Sequence, residues 1–401
     1  MRWWVLICMM LVAACDPLPV SVSPPIPTPA MNTSWGVPST LTWATTFDPP
    51  ALFTDGAETV LGAFERHNDV LVLTIYRGGV RTRSNIAARQ PHALTLFPAA
   101  MRGTLALWLD DDGTGSQRLF VARLNDTGFS ERGSVAVSSG PAIRYAAAAL
   151  HDGTLWAIWS VPNAGESTLV GSRLDDEGRA RSPEALRVDA DFPALAVTNA
   201  GNVLLFWLEG AQRNLYRGEL TQAGLALVTR LATEPWLSAS ADHLIRLEVG
   251  IDTTHTYIFW QALSSSGSNE VWYTSGPLSE TAVDGARQLR VSTTDTQEQT
   301  GFNHGVAYTA ERTGSENVVE FASPAVDQNE TLPVSVLSGH DLGLVYFRGG
   351  DAFAAQTIGT LERRLIAPPK VAADDERDLW LAWWLPDTVQ EAVLYLIESG
   401  R

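Results

Sequence analysis

From about residue 37 onward, short apolar runs of five to eight residues alternate with polar stretches rich in Gly, Asp, Asn and Ser. The pattern is clearest at 154–178, TLWAIWSVPNAGESTLVGSRLDDEG. An apolar run ends on Trp159, a polar loop follows, a second run ends at Arg173-Leu174, and a turn closes on Gly178. The same unit recurs at 104–128 and 202–224 and, more loosely, at 255–285. Further aromatic-ended runs finish at Tyr76, Phe347 and Trp384. A polar turn and another apolar run, such as ETVLGAF, ALTLF, RYAAAAL, PALAV or PKVAA, precede each. Runs this short, enriched in Val, Leu and aromatics and bounded by turn residues, predict strands rather than helices. Each unit therefore reads strand, tight turn, strand, loop, strand, turn, strand, and the chain is expected to be all-β.

Four antiparallel strands repeating every 40–50 residues are the sequence form of a β-propeller blade. A lone blade leaves both faces wet, whereas stacking buries them. From Trp108 the second-strand aromatics are spaced by 51, 48 and 53 residues, then by 87 to Phe347 and 37 to Trp384. This predicts about seven blades, with six or eight as alternatives, and makes 295–331 either an insertion or a degenerate blade. GVAYTAE (305–311) is a candidate strand within it. The last unit stops before a fourth strand, while STLTWATTF (39–47) belongs to no hairpin of its own. The N-terminal run is expected to supply the missing strand and close the ring, because closure removes free sheet edges.

Composition adds two limits. A hydrophobic content of 45% with 14 Trp supports a large core. A formal charge of −17, from 28 Lys+Arg against 45 Asp+Glu, argues against nucleic acid and against docking on anionic headgroups. The only cysteines are Cys8 and Cys15, so the body beyond them has no disulfide, thiolate nucleophile or cysteine-held metal.

Those cysteines direct attention to the start of the chain. Met1-Arg2 is followed by an uncharged run from Trp3 to Val12, too short for the ~20 residues that span a bilayer. Basic start, apolar stretch and small residues before a cut have the build of a secretory signal. Val12-Ala13-Ala14-Cys15 resembles the lipobox of bacterial lipoproteins. The resemblance implies that 1–14 is removed, that Cys15 carries acyl chains, and that the body sits on the extracytoplasmic side of a membrane. The expected organisation is a signal peptide at 1–14, the lipidated cysteine and a tether at 15–36, and the propeller at 37–401. Within the tether, DPLPVSVSPPIPTPA (16–30) is proline-rich, and at ~3.1 Å per residue it reaches roughly 45 Å. The membrane is thus a partner through the anchor.

Candidate chemistry is sparse. The turns at Asn125-Asp126-Thr127-Gly128 and Asp175-Asp176-Glu177-Gly178 resemble the Asp-box turns of sialidase-type propellers, although Leu124 and Leu174 stand where that motif has serine. Asp accepting turn amides and Gly supplying positive φ accounts for them physically. The arginine motif that the sialidase resemblance would require near the first blade is missing. No Gly-x-Ser-x-Gly elbow occurs. His67, His151 and His340 fall in the turn before the aromatic run of separate blades, which spreads them around one rim rather than around one metal.

Acids are the commonest loop residues after the second strands. Asp110, Asp111, Asp112, Glu166, Glu209, Asp351 and Asp387 are candidates for a ligand or cation rim, with Asp189, Asp191, Glu234, Asp242 and Asp295 in the loops between blades. Asp110-Asp111-Asp112-Gly113 offers hard oxygen ligands suited to Ca²⁺. Trp236, in the loop ATEPWLSAS, is the tryptophan expected to be exposed for contact. The reading is a lipid-anchored binding or assembly module for a protein or glycan, with a glycan-active hydrolase or lyase on the acidic face as the alternative.

Overall fold

Alternation of apolar and polar residues, with β-branched and aromatic side chains on the buried face, produces strands throughout the computed structural model. It describes residues 34–35, 39–44, 50–56, 58–150, 152–163, 165–232, 243–263, 269–280, 283–289, 320–321, 331–338, 341–360, 369–373, 379–386 and 392–400. Among these, every regular element is a strand, and no helix is long and apolar enough to cross a membrane. The expectations for Cys15, Trp236, Asp387, His151, His340, 305–311 and tether residues 15–33 lie outside the described residues, whereas Ser34–Trp35 of the expected tether forms a short strand.

The strands form seven antiparallel sheets in chain order. The first contains Ala51–Asp55, Glu58–His67, Val70–Arg77 and Val80–Ala88. The second runs from His92–Ala99 through Gly103–Asp111 and Gln117–Leu124 to Val135–Ala136. The third joins Arg144–Ala149, Leu155–Asn163, Glu166–Leu174 and Glu184–Val188. The fourth is Ala190–Val197, Val203–Glu209, Asn214–Thr221 and Gly224–Ala232. The fifth comprises His243–Ile251, His255–Leu263, Asn269–Pro277 and Arg287–Leu289. In the sixth, Glu320–Phe321 pairs with Leu332–Ser338, followed by Asp341–Arg348 and Asp351–Thr360. The seventh holds Lys370–Ala373, Leu379–Pro386 and Ala392–Gly400.

Neighbouring sheets meet through their inner strands. Ala51–Asp55 contacts His92–Ala99, which contacts Arg144–Ala149, and the succession continues to Ala190–Val197 and His243–Ile251. Leu332–Ser338 contacts Lys370–Ala373, which contacts Ala51–Asp55. The fifth and sixth sheets share a core of Tyr257, Phe259, Tyr273, Val334, Val345 and Phe347. These contacts gather the inner strands about a common centre, and the architecture is that of a β-propeller.

Aromatic anchors fill the space between sheets. Trp108, Trp159, Trp207, Trp260 and Trp384 are all fully buried. Each removes on the order of 200 Å² from water, worth about 5 kcal/mol at 25 cal/mol/Å² before unfolded-state burial is discounted. Phe64 packs against Trp108 at 5.5 Å, linking the first two sheets.

The repeat is offset from expectation in two sheets. The run ending at Tyr76, expected as a second strand, is the third strand of the first sheet, behind Ala51–Asp55 and Glu58–His67. His67 therefore lies in a turn between second and third strands, at the end of the sheet opposite to the one expected. Asp341–Arg348 is likewise third in the sixth sheet, because Glu320–Phe321 adds to the free side of Leu332–Ser338.

The seventh sheet is completed from the other end of the chain. Ser39–Ala44 pairs antiparallel with Ala392–Gly400, from Ser39 opposite Leu396 to Ala44 opposite Ala392. Ser34–Trp35 extends the same edge opposite Ser399 and Gly400. Leu41 packs with Leu52, Leu61, Tyr76, Trp384 and Leu396 in a cluster shared by the first and last sheets.

Candidate functional site at the axial mouth

The register of the inner strands places one polar residue in the opening part of each at a common level. One step beyond the buried tryptophan of each second strand, His92 stands opposite Leu109, Arg144 opposite Ser160, Asp191 opposite Leu208 and Arg246 opposite Gln261. Four successive sheets thus present a polar side chain at the same height, where inner strands begin and buried apolar packing ends.

Two parts of this ring are built in detail. At the junction of the third and fourth sheets, Asp191 accepts hydrogen bonds from Ser160 Oγ at 2.6 Å and from the Phe192 amide at 2.7 Å, and it pairs with Arg144. The guanidiniums of Arg144 and Arg213 lie over the Phe192 ring, 4.0 and 5.6 Å from its centroid. Asp189, Phe192 and Arg213 all have positive φ, between 50° and 56°. Non-glycine residues seldom adopt that conformation, and Ala93, which follows His92 at the equivalent register shift of the second sheet, shares it at φ 54°. Strand irregularity is the cause at Phe192, since the register shifts between Asp191 and Ala194.

The second part joins sheets that are not sequence neighbours. Arg246 and Glu248 of the fifth sheet form an ion pair at 2.7 Å. Lys370, from the start of the seventh sheet, lies close enough for both to act on its charge. Enclosure of its ammonium group lowers the Lys370 pKa to about 8; Arg246 pushes the same way and Glu248 opposes it. Glu248 Oε2 is buried with no hydrogen-bond partner among the described residues. Arg144, Arg213, Arg246 and Lys370 outnumber Asp189, Asp191 and Glu248, so this mouth is cationic in a chain of net charge −17. Asp191 and Glu248 are committed to arginine ion pairs. The arrangement suits an anionic group, and Lys370 supplies a base of moderate strength.

Most of the acids expected to form a rim are tied into local contacts. Asp110 is buried and accepts the amides of Arg89, Gln90 and Asp111, at 2.7 Å for Gln90 and 2.9 Å for Asp111, so it fixes the loop between the first two sheets. Asp111 accepts the Gly113 amide, and Asp112 pairs with Arg118 at 2.7 Å and with Thr114. Glu209 is clamped by Arg187 at 3.0 and 3.1 Å and by Trp207 Nε1 at 2.9 Å. Asp351 accepts from Tyr273 at 2.9 Å and Arg287 at 2.7 Å. Glu166 is exposed opposite Asn163. These residues are spread over the second, third, fourth and sixth sheets, and no group of three or more His, Cys, Asp or Glu is placed to hold a metal ion among the described residues. Sequence reasoning reached Asp191 as one of the acids in the loops between blades and did not single out Arg144, Arg213, Arg246, Glu248 or Lys370 for this site. The available signal was a polar residue at the head of each inner-strand run.

No protein-family model and no curated protein matches the chain. Solved structures do resemble it. A polysaccharide lyase, Uly1, superposes with a TM-score of 0.50 at 10% identity, over 89% of this chain and 91% of its own. A puromycin-hydrolysing peptidase of Mycobacterium tuberculosis gives a TM-score of 0.50 at 15% identity, over 94% of this chain but 56% of its own. At these identities the likeness is one of fold.

Proposed function

We propose that this protein is a lipid-anchored, extracytoplasmic propeller directed at glycans, which seats an anionic sugar at the axial mouth. The observation that carries the proposal is the common register of His92, Arg144, Asp191 and Arg246 in four successive sheets, with the Arg144–Asp191 and Arg246–Glu248 ion pairs built on it. Side chains set at one height on successive inner strands act together, and a mouth with surplus cationic charge attracts carboxylate or sulfate. The fold shared with a polysaccharide lyase supports a sugar over other anions. Acylation at Cys15 would hold the body near the cell-surface glycans it meets, two or three acyl chains being a stable anchor. Replacing Cys15 by Ser should move the protein from the membrane fraction to the soluble one, and continued membrane retention would refute the anchor.

Binding is tested by calorimetry with uronate oligosaccharides beside neutral ones of equal length. Preference for the acidic series, lost in Lys370→Met and Arg246→Met, supports the site. Equal affinity for both series, or unchanged binding in the variants, removes it and leaves an assembly role.

A second reading follows from the basicity of Lys370. With a pKa near 8, part of the population is neutral near physiological pH. A neutral amine could take the proton α to a uronate carboxylate. The C–H electrons then form the C4=C5 double bond as the C4–O bond breaks, and water protonates the departing oxygen. Arg246 would neutralise the carboxylate during that step. The unsaturated product absorbs in the ultraviolet, so an absorbance rise present in the parent and absent in Lys370→Met supports elimination. A flat trace under saturating ligand leaves binding alone.

A further inference from the structure

At the opposite end of the sheets, the third-to-fourth-strand turns of the second and third sheets enclose an open groove of about 550 Å³. Its walls are rigid for a reason visible in the turns. Asn125 Oδ1 accepts the amides of Thr127 and Phe129, at 3.1 and 2.9 Å. Asp175 Oδ1 takes those of Glu177 and Arg179, at 3.0 and 2.8 Å. Gly178, at φ 72°, lies against the preceding sheet, where an added Cβ would stand 3.2 Å from Leu105 and 3.4 Å from Val121.

Four arginines line this groove, Arg123, Arg132, Arg179 and Arg181, against the two acids Glu131 and Glu177. Arg123 is occupied, pairing with Glu177 at 3.6 Å and donating to the carbonyls of Asp176 and Ala100. Arg179 makes only a long, exposed contact to Asp175 at 3.9 Å. Arg132 and Arg181 are exposed and have no ion pair among the described residues. Between these charges lie two half-exposed apolar side chains, Phe129 at 50% and Val135 at 52%. Unpaired guanidiniums in a chain of net charge −17 leave a local positive pocket, and an exposed ring beside them offers a face for the C–H surface of a sugar.

We propose that this groove is a second binding site, for a carboxylated or sulfated oligosaccharide segment, separate from the axial mouth. The choice of a sugar rests on the glycan-directed reading above, whereas the preference for an anion rests on the groove alone. A chain held at both ends of the propeller would be bound with the gain of two linked sites.

The test uses the full chain and four probes: a uronate hexasaccharide, a sulfated hexasaccharide, a neutral hexasaccharide and an oligo-glutamate peptide of matching charge. Titrations are run on the parent, Arg132→Gln/Arg181→Gln, Phe129→Ala and Lys370→Met, after each variant is shown to unfold in one cooperative transition no lower in temperature than the parent's. The expected result is affinity for the acidic sugars weakened by about tenfold or more in the double arginine variant, the loss of one to two charge-assisted hydrogen bonds. Phe129→Ala should weaken the sugars and leave the peptide unchanged, while a component of acidic-sugar binding should survive Lys370→Met. Acidic-sugar binding that the double arginine variant leaves intact overturns the groove. If Lys370→Met abolishes it all, the axial site stands and the groove falls. Tight peptide binding with no sugar binding overturns the glycan assignment for both sites and identifies the groove as a docking place for acidic protein segments.

Discussion

The turns show how much one residue can decide. The Asp-x-Gly pattern at 126–128 and 176–178 is legible in the sequence, but the side chains capping each turn are the residues before it, Asn125 and Asp175. Their spacing to the capped amides matters, because an Asx side chain reaches its own backbone two residues on. The following glycine does more than supply positive φ. Gly178 meets Leu105 and Val121, and Gly128 sits where a Cβ would stand 2.6 Å from Thr82 of the first sheet. Gly79, also at positive φ, has nothing within 4 Å of the position a Cβ would take. Gly178→Ala should therefore cost about 1–3 kcal/mol, combining strain with crowding, and Gly79→Ala should cost only the strain of about 1 kcal/mol. Chemical denaturation measures both. Equal losses would show that the intersheet contact at Gly178 contributes nothing.

At the scale of elements, the repeat was readable where a tryptophan ends the second strand and unreadable where it does not. Trp108, Trp159, Trp207 and Trp260 occupy second strands as their spacing implied. In the first sheet two apolar runs adjoin, ETVLGAF and VLVLTIY, and the aromatic of the second one misled. The true counterpart is Phe64, packed on Trp108, while Tyr76 turns its hydroxyl to buried Glu65. A period alone does not say which run begins the unit. The unpaired N-terminal run was more informative, since its pairing with Ala392–Gly400 follows from a last sheet short of one strand. Its edge would otherwise be exposed, and the first and last sheets share Leu41 in their common core. If these strands latch a ring, removing residues 34–44 should lower the melting temperature of the whole molecule in one cooperative transition. Unfolding at the parent's temperature, or loss confined to a separate minor transition, would refute the latch.

The whole molecule brings together what the sequence keeps apart. Arg144, Asp191 and Arg246 are separated by 47 and 55 residues, and nothing local distinguishes a polar residue heading an inner strand from one ending a loop. Only stacked sheets in common register set them at one height, and Arg246 with Glu248 there acts on the charge of Lys370. That assembly makes a pH dependence specific to one residue. Lys370 has an ordinary pKa of 10.5 when exposed and about 8 when enclosed. Below pH 8 it is charged in both states, and the fold bears the cost of confining an ammonium beside Arg246. Between pH 8 and 10.5 the folded form binds fewer protons than the unfolded one, so stability from this group rises with pH and levels off above 10.5. Lys370→Met, which keeps the volume and removes the charge, should melt above the parent at pH 7, with the gap narrowing as pH climbs toward 10. A bound carboxylate reverses the balance, because it favours the charged ammonium. Affinity for an acidic sugar at the mouth should then fall as pH passes 8 in the parent and stay level in Lys370→Met. Parallel melting curves at every pH, together with identical pH profiles for binding, would place Lys370 outside the site.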